Sequence, residues 1–309
     1  MAEDYHIPVL LNQSVDALNV CNGGVYVDAT FGGGGHSKEI LRRIKGNGML
    51  YGFDQDLEAY ENFIHERDIY GDIDNSFQFV RSNFRFMGNF LKFYGVEKVD
   101  GILADLGVSS RHFDSDTRGF SFRFDAPLDM RMNQKAEVTA ADVLNAYDEK
   151  RLADIFFLYG EMKNSRKVAE AIVRKRKNGK LLTVGDLVST LEPFCKQQRA
   201  KKDMAKAFQA LRIEVNQEMQ ALKEMLNGAE RLLKTGGRLV VITYHSLEDR
   251  MVKNLMRTGN CEGDEQKDFY GNVVSPFVPV NRKVVTPDDE EMQRNPRSRS
   301  AKLRVAERI

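Results

Sequence analysis

Apolar positions along this chain recur with two periods, and the period changes twice. "GVYVDAT" (Gly24 to Thr30) carries Val25 and Val27 in a short β-branched run and predicts a buried strand. Four glycines follow, Gly32 to Gly35, and then Ile40, Leu41 and Ile44 at helical spacing, with Arg42, Arg43 and Lys45 on the other face. Gly46 and Gly48 are the expected close of that helix. "GMLYGFDQD" (Gly48 to Asp56), "SFQFVRSNF" (Ser76 to Phe84) and "VDGILADLGVSS" (Val99 to Ser110) predict three more strands. Strands alternating with helices over the first 110 residues or so imply a parallel, doubly wound sheet.

From Arg111 to Ala205 no convincing strand pattern occurs. Thr139 is the expected N-cap of "AADVLNAY". "EKRLADIFFLYG" is a helix stopped at Gly160, "SRKVAEAIVRKRKNG" one that ends before Gly179, and "TVGDLVSTLEPF" one that starts on Thr183. The sheet pattern then returns. A long amphipathic stretch from Ala207 onward is expected to break at Gly228 and close at Gly236 and Gly237. "RLVVITYHS" (Arg238 to Ser246) reads as a strand, "LEDRMVKNLM" as a helix, and "RKVVT" and "AKLRVAER" as two further strands. The predicted organisation is a sheet domain in two parts, 1–112 and 206–309, around an inserted helical segment, 113–205.

Composition narrows the class. A chain of 309 residues allows roughly two domains. Its apolar runs, such as "LVVI" at Leu239 to Ile242, are too short to span a bilayer. "MAEDYHIPVLLNQ" lacks the basic start and apolar core of a signal peptide. Cys21, Cys195 and Cys261 are scattered with no CxxC, which fits neither a disulfide framework nor a zinc site, and no metal is expected. A cytoplasmic protein with reduced thiols is the resulting expectation. Net charge is only +1, yet Met162 to Lys202 holds twelve Lys and Arg against three acids, a surplus of nine. Charge so concentrated suggests a polyanion partner, although a solvated helix face is the usual fate of such a run.

The glycine loop lies between a strand and a helix, at the edge where open α/β sheets bind ligands. It fails the dinucleotide fingerprint: counted from Gly32 the sixth position is Ser37, and from Gly33 it is Lys38. It also lacks the Gly-Lys-Ser/Thr of a P-loop. Asp54 ends the second strand, 19 residues after Gly35, where an acid accepts hydrogen bonds from a ribose diol. NAD and S-adenosylmethionine both carry that diol, and only the second lacks phosphate. Asp105 ends the fourth strand beside the same crevice, as a catalytic acceptor, a cofactor ligand or a buried structural acid. No cysteine stands near it, so methylation through a thiolate adduct is not expected. "RGFSFRFDAPLDMRMN" (Arg118 to Asn133) is either a half-buried segment or a lid with stacking and cationic groups for a flipped base.

"HIPVLL", "DATFGGGGHS", "DLGVSS", "RGFSF", "PLDMRM", "AFQALRIEVNQE", "YHSLEDR" and "NPRSRSAKLR" occur in that order from His6 to Arg304. Together they resemble the bacterial 16S ribosomal RNA cytosine-N4 methyltransferase family over nearly the whole chain. The resemblance implies a Rossmann-like S-adenosylmethionine methyltransferase sheet with an inserted all-helical, RNA-recognising domain. The implied reaction is methylation of the exocyclic N4 of a cytidine in the decoding region of small-subunit rRNA. It further implies cofactor contacts from Gly34, Gly35 and His36, from Asp54, from Phe84 and from Asp105. The family's glutamine two residues after "DLGVSS" is His112 here, and its "DGPLDMRMD" reads with Ala126 and Asn133. Asp105 is the first choice for an acceptor on the amine, and His245 the second, with a structural hydrogen bond at the strand end as the other reading of His245. Arg118, Arg131, Lys175, Arg176, Arg297 and Arg299 are the RNA-facing candidates, with 16S rRNA, within the small subunit, as partner. Monomer and homodimer both stay open. The competing classes are an NAD oxidoreductase, which the missing third glycine disfavours, and an RNA-binding assembly factor without catalysis, which the loop and Asp54 disfavour.

Overall fold

The computed structural model describes residues 8–45, 47–65, 76–108, 116–281 and 283–309. They form two compact units, Met1–Gly107 with Met219–Ile309, and Val108–Glu218. In the first unit seven strands make one sheet: β1 Val25–Asp28, β2 Met49–Asp54, β3 Phe77–Arg81, β4 Val99–Asp105, β5 Leu233–Thr243, β6 Phe277–Pro279 and β7 Lys302–Arg308. Their order is β3-β2-β1-β4-β5-β7-β6. β1 to β5 run parallel, and β7 is antiparallel to both β5 and β6. This is a Rossmann-like sheet. The chain steps outward from β1 to β3 and returns to β4 on the other side of β1. That reversal opens a crevice at the carboxyl ends of β1 and β4, where such sheets bind ligands.

Both sheet faces are covered, which is why the strands read as near-continuous apolar runs. Val27, Ile102, Ala104, Leu239 and Val241 enter one core, and Tyr26, Leu103, Val240 and Ile242 enter the other. Successive residues therefore point to opposite faces, as a pleated strand requires. α1 Leu11–Leu18 precedes β1, and α2 Gly35–Ile44, α3 Leu57–His65 and α4 Met87–Phe93 cross between the early strands.

The second unit is helical, with helices at Ala140–Ala146, Glu149–Leu158, Ser165–Arg176, Val184–Leu191 and Ala200–Asn216. Leu144, Leu152, Phe156, Val168, Ile172, Leu187 and Leu211 form its core. Thr139 and Thr183 both close capping boxes, with Asp142 and Asp186 as the reciprocal partners. The helix Ala200–Asn216 belongs to this unit, so its compact body extends past position 205 to Glu218. Phe120 is buried in it, Phe122 packs edge-on against Phe208 at 5.6 Å, and Phe124 is exposed. Ala126 is buried and absent from the residues with positive φ, so the missing glycine causes no strain there. Gly119 is different: φ is +70°, and a Cβ would lie 2.3 Å from the Pro127 carbonyl oxygen. Gly119→Ala should cost this unit about 2 to 4 kcal/mol by combining left-handed strain with a backbone clash. Urea denaturation followed by circular dichroism reads the loss, and an unchanged midpoint would refute it.

Three expectations fail. The long helical stretch breaks at Gln217, φ +50°, and not at Gly228, which lies inside the helix Glu218–Leu232. Polar pairing fixes that break: the Asn216 amide donates to the Met130 and Arg212 carbonyls and accepts from Met132 N–H, while Arg212 grips Glu218 at 2.8 and 2.9 Å. Gly236 and Gly237 lie within β5, which begins directly after the helix at Leu233. "RKVVT" makes no strand among the described residues; Val285 forms a single bridge to Leu303, and the strand beside β7 is Phe277–Pro279. α2 ends on Lys45 in a left-handed conformation, φ +56°; Gly46 lies outside the described residues.

Candidate functional site

The glycine run makes a tight turn from β1 into α2. Gly32 has φ +52° and Gly34, at the N-cap, has φ +74°. Gly34 makes no side-chain cap hydrogen bond, so the first amides of α2 point at the crevice without a carboxylate of this helix to meet them. A Cβ on Gly35 would lie 2.1 Å from Pro8 Cγ, so the close approach of the N-terminal segment needs glycine there.

Asp54, at the end of β2, clamps the loop. Its Oδ2 accepts from Gly32 N–H at 2.8 Å and its Oδ1 from Asp56 N–H at 2.9 Å. Phe84 is half-buried in the short 3-10 turn after β3, packed on the core. Asn83 caps that turn and its amide donates to Gln55 Oε1 at 3.0 Å, tying it to the end of β2.

Asp105 ends β4. Its N–H donates to Thr30 Oγ1 at 2.6 Å, and its Oδ1 accepts from the Tyr244 hydroxyl at 2.7 Å. Its Oδ2 lies 4.0 Å from His36 Nδ1, with the Asp105 side chain 22 % exposed. Burial pushes the Asp105 carboxyl up to about 7; the Tyr244 hydrogen bond opposes this, and Asp28, Glu248 and Glu291 add repulsion. His36 is buried, and burial holds its imidazole down to about 4, so it is neutral at pH 7. Its Nε2 has no hydrogen-bond partner among the described residues. A buried ring nitrogen without a partner is costly.

His245 sits one residue before the helix Ser246–Thr258 and acts as its N-cap, with Nδ1 accepting from Glu248 N–H at 3.3 Å. Glu248 in turn accepts from the N–H groups of Tyr244 and His245 at 2.9 and 3.2 Å. Those bonds account for Nδ1; Nε2 lies 3.0 Å from Glu248 Oε1 and, buried, has no hydrogen-bond partner among the described residues. His112 lies outside the described residues.

The candidates for RNA contact divide into two groups. Arg118 is buried and donates to the Arg131 carbonyl at 2.6 Å, with its guanidinium 5.6 Å from the Phe120 ring. Arg131 forms a two-point pair with Asp129 at 2.7 Å and donates to the Ala136 carbonyl at 2.5 Å. Arg176 donates to the Leu144 and Tyr147 carbonyls at 2.9 and 2.6 Å, closing the end of the helix Ala140–Ala146. An RNA-facing role for these three gains no support from their placement. Lys175, Arg297 and Arg299 are exposed.

Two groups at the crevice escaped the sequence reading. Asp28 is fully buried, accepts from Ser37 Oγ at 2.7 Å and Thr30 N–H at 3.1 Å, and is pushed up to about 6 by burial. The acid at the end of "GVYVD" was the available signal. Ser37 occupies the position where a dinucleotide loop has its third glycine, and its hydroxyl is committed to Asp28. Tyr244 is the other; only its place beside His245 in "YHSLEDR" marked it.

The chain matches the MraW methylase family over residues 3–309. Ribosomal RNA small subunit methyltransferase H of Phocaeicola vulgatus is 63 % identical to it over 304 residues, covering 98 % of this chain and 97 % of that protein. The protein of the same name from Bacteroides fragilis strain YCH46 is 61 % identical over 304 residues, with the same coverage. That of Cytophaga hutchinsonii is 49 % identical over 304 residues, covering 98 % of this chain and 99 % of its own. Matched from end to end, with a glycine loop and strand-end acids arranged for an adenosine ligand, the chain belongs to the MraW methylase family.

Proposed function

We propose that this protein transfers a methyl group from S-adenosylmethionine to the exocyclic N4 of a cytidine in the decoding region of 16S rRNA. The observation that carries this reading is the placement of Asp105, an acceptor at the end of β4, beside the loop that Asp54 clamps. The family match and the names of its relatives support the rRNA substrate.

Asp54 binds the ribose diol, the amides opening α2 face the methionyl carboxylate, and the half-buried Phe84 covers the adenine. His36 stands at the start of α2 as a neutral imidazole, with Nδ1 4.0 Å from Asp105 Oδ2. When bound, S-adenosylmethionine would supply an electrophilic methyl on a sulfonium, with the neutral thioether as leaving group. The lone pair of the cytidine amine is delocalised into the ring, so alignment and exclusion of water do most of the work. The Asp105 carboxylate accepts from the amine, favours its pyramidal form, offsets the developing positive charge and receives the proton that N4 gives up.

In the helical unit, Arg174, Lys175, Lys177 and Lys180 are exposed at and just after the end of the helix Ser165–Arg176. A groove there is lined by Arg174, Lys175, Asn178, Ser189, Thr190 and Phe194. These groups hold rRNA phosphates. Replacing Arg174 and Lys175 together by alanine should weaken binding to all rRNA sequences alike and flatten the log K against log salt slope by about 1.5. Filter binding across a salt series checks this, and an unchanged slope would remove the two side chains from the interface.

Thermal shift with S-adenosylmethionine and with NAD tests the cofactor. A rise in Tm with the first alone is expected, and a rise with NAD alone would reverse the assignment.

A further inference from the structure

We infer that Tyr244 is a positioning residue for methyl transfer: its hydroxyl holds one oxygen of Asp105 so that the other faces the amine. This deepens, and rests on, the acceptor role proposed for Asp105. Asp105 is held at two points by first-unit groups, Thr30 Oγ1 on its backbone N–H at 2.6 Å and the Tyr244 hydroxyl on Oδ1 at 2.7 Å. Oδ2 is the remaining oxygen, 4.0 Å from His36 Nδ1, too far for a hydrogen bond. A carboxylate pinned at one oxygen has lost its rotational freedom before the substrate arrives.

The tyrosine is itself fixed. Its N–H donates to Glu248 Oε2 at 2.9 Å, so the capping box that opens the next helix also sets the start of the Tyr244 side chain. Its ring lies under the turn after β4: a Cβ on Gly107 would meet Tyr244 Cδ2 at 3.3 Å, and Gly107 has φ +104°. The glycine of "DLGVSS" and the tyrosine of "YHSLEDR" are thus two halves of one arrangement, one leaving room for the ring of the other.

The surroundings show why the hydroxyl matters. The titratable groups facing Asp105 are Asp28 on β1, His36 on α2, Tyr244 after β5, Glu248 on the helix Ser246–Thr258 and Glu291 on the helix Asp289–Arg294. Three are acids, and His36 is held in its neutral form by burial. Tyr244 is the side chain among these that donates a hydrogen bond to the carboxylate. Burial and Asp105 itself push the phenol well above its ordinary value, so it stays a donor over the whole working range. Removing the hydroxyl leaves desolvation and acidic repulsion unopposed, and Asp105 then ionises at higher pH.

Tyr244→Phe is the test, because it keeps the ring beneath Gly107 and deletes only the donor. On small ribosomal subunits lacking the modification, kcat at pH 7 should fall on the order of tenfold, with KM for S-adenosylmethionine nearly unchanged. The acid limb of the pH–kcat profile should move to higher pH, so that activity recovers in alkaline buffer. Titration of the Asp105 carboxyl by carbon-13 NMR, assigned with Asp105→Asn, gives the same quantity without turnover and should show its midpoint rising in Tyr244→Phe. An unchanged midpoint overturns the inference whether or not methyl transfer is seen. Absence of transfer by the unmodified protein would count against the proposed function, while the NMR midpoint still decides the role of Tyr244.

Discussion

Asp105→Asn is expected to lower kcat by roughly 100-fold or more while leaving the Kd for S-adenosylmethionine within a few-fold. Asparagine keeps the size of the side chain, and its carbonyl oxygen can still accept the Tyr244 hydroxyl. The second oxygen becomes an amide NH₂, which meets the substrate amine donor to donor. Acceptor strength is lost where the developing charge needs it, and the fold is kept. Because burial holds the Asp105 carboxyl at about 7, the unmodified enzyme should gain activity as pH rises through that value and lose it below, as the carboxyl becomes protonated. The asparagine variant should lack that limb. Single-turnover methyl transfer across a pH series, with calorimetric titration of the cofactor, separates the two effects. Full turnover by Asp105→Asn would remove Asp105 from the chemistry.

Asp54→Ala should weaken S-adenosylmethionine binding by about 100-fold. The carboxylate does two things at once: it offers acceptors for the ribose and holds the N–H groups of Gly32 and Asp56. Deleting it costs the charged hydrogen bonds to the ligand, each worth about 1.5 to 3 kcal/mol, and also frees the loop that shapes the site. Asp54→Asn keeps an oxygen for one amide and should lie between the two. Isothermal titration provides the Kd values, and an unchanged Kd in Asp54→Ala would move the ribose contact elsewhere.

The sheet was legible because parallel strands buried on both faces are written as apolar runs ending in acids. Asp28, Asp54 and Asp105 mark the carboxyl ends of three of them. Helix starts were legible where a side chain does the capping, as at Thr139 and Thr183. What sequence period does not carry is pairing at long range. The break at Gln217 depends on Asn216 reaching Met130 and Met132, more than 80 positions away, and no local residue type announces it. A helix also tolerates the interior Gly228, so a glycine alone was a poor guide. The same holds at the site. Asp54 stood out by its place at the end of a strand after the glycine loop, whereas residue type alone left Asp105 open between a structural and a functional acid. Tyr244 did not stand out, because its importance lies in one hydrogen bond to a residue 139 positions earlier. Arg118 and Arg131 show another limit: residue type in an aromatic segment suggested a nucleic-acid contact, and it gave no sign of the bonds these guanidiniums make to the Arg131 carbonyl and to Asp129.

Transfer of label from methyl-labelled S-adenosylmethionine to small subunits lacking the modification, followed by nucleoside digestion, tests the central claim most directly. Stoichiometric incorporation that elutes as N4-methylcytidine and maps to the decoding region is expected, with its loss in Asp105→Asn. No incorporation, or label on a ring carbon or a ribose hydroxyl, would contradict it.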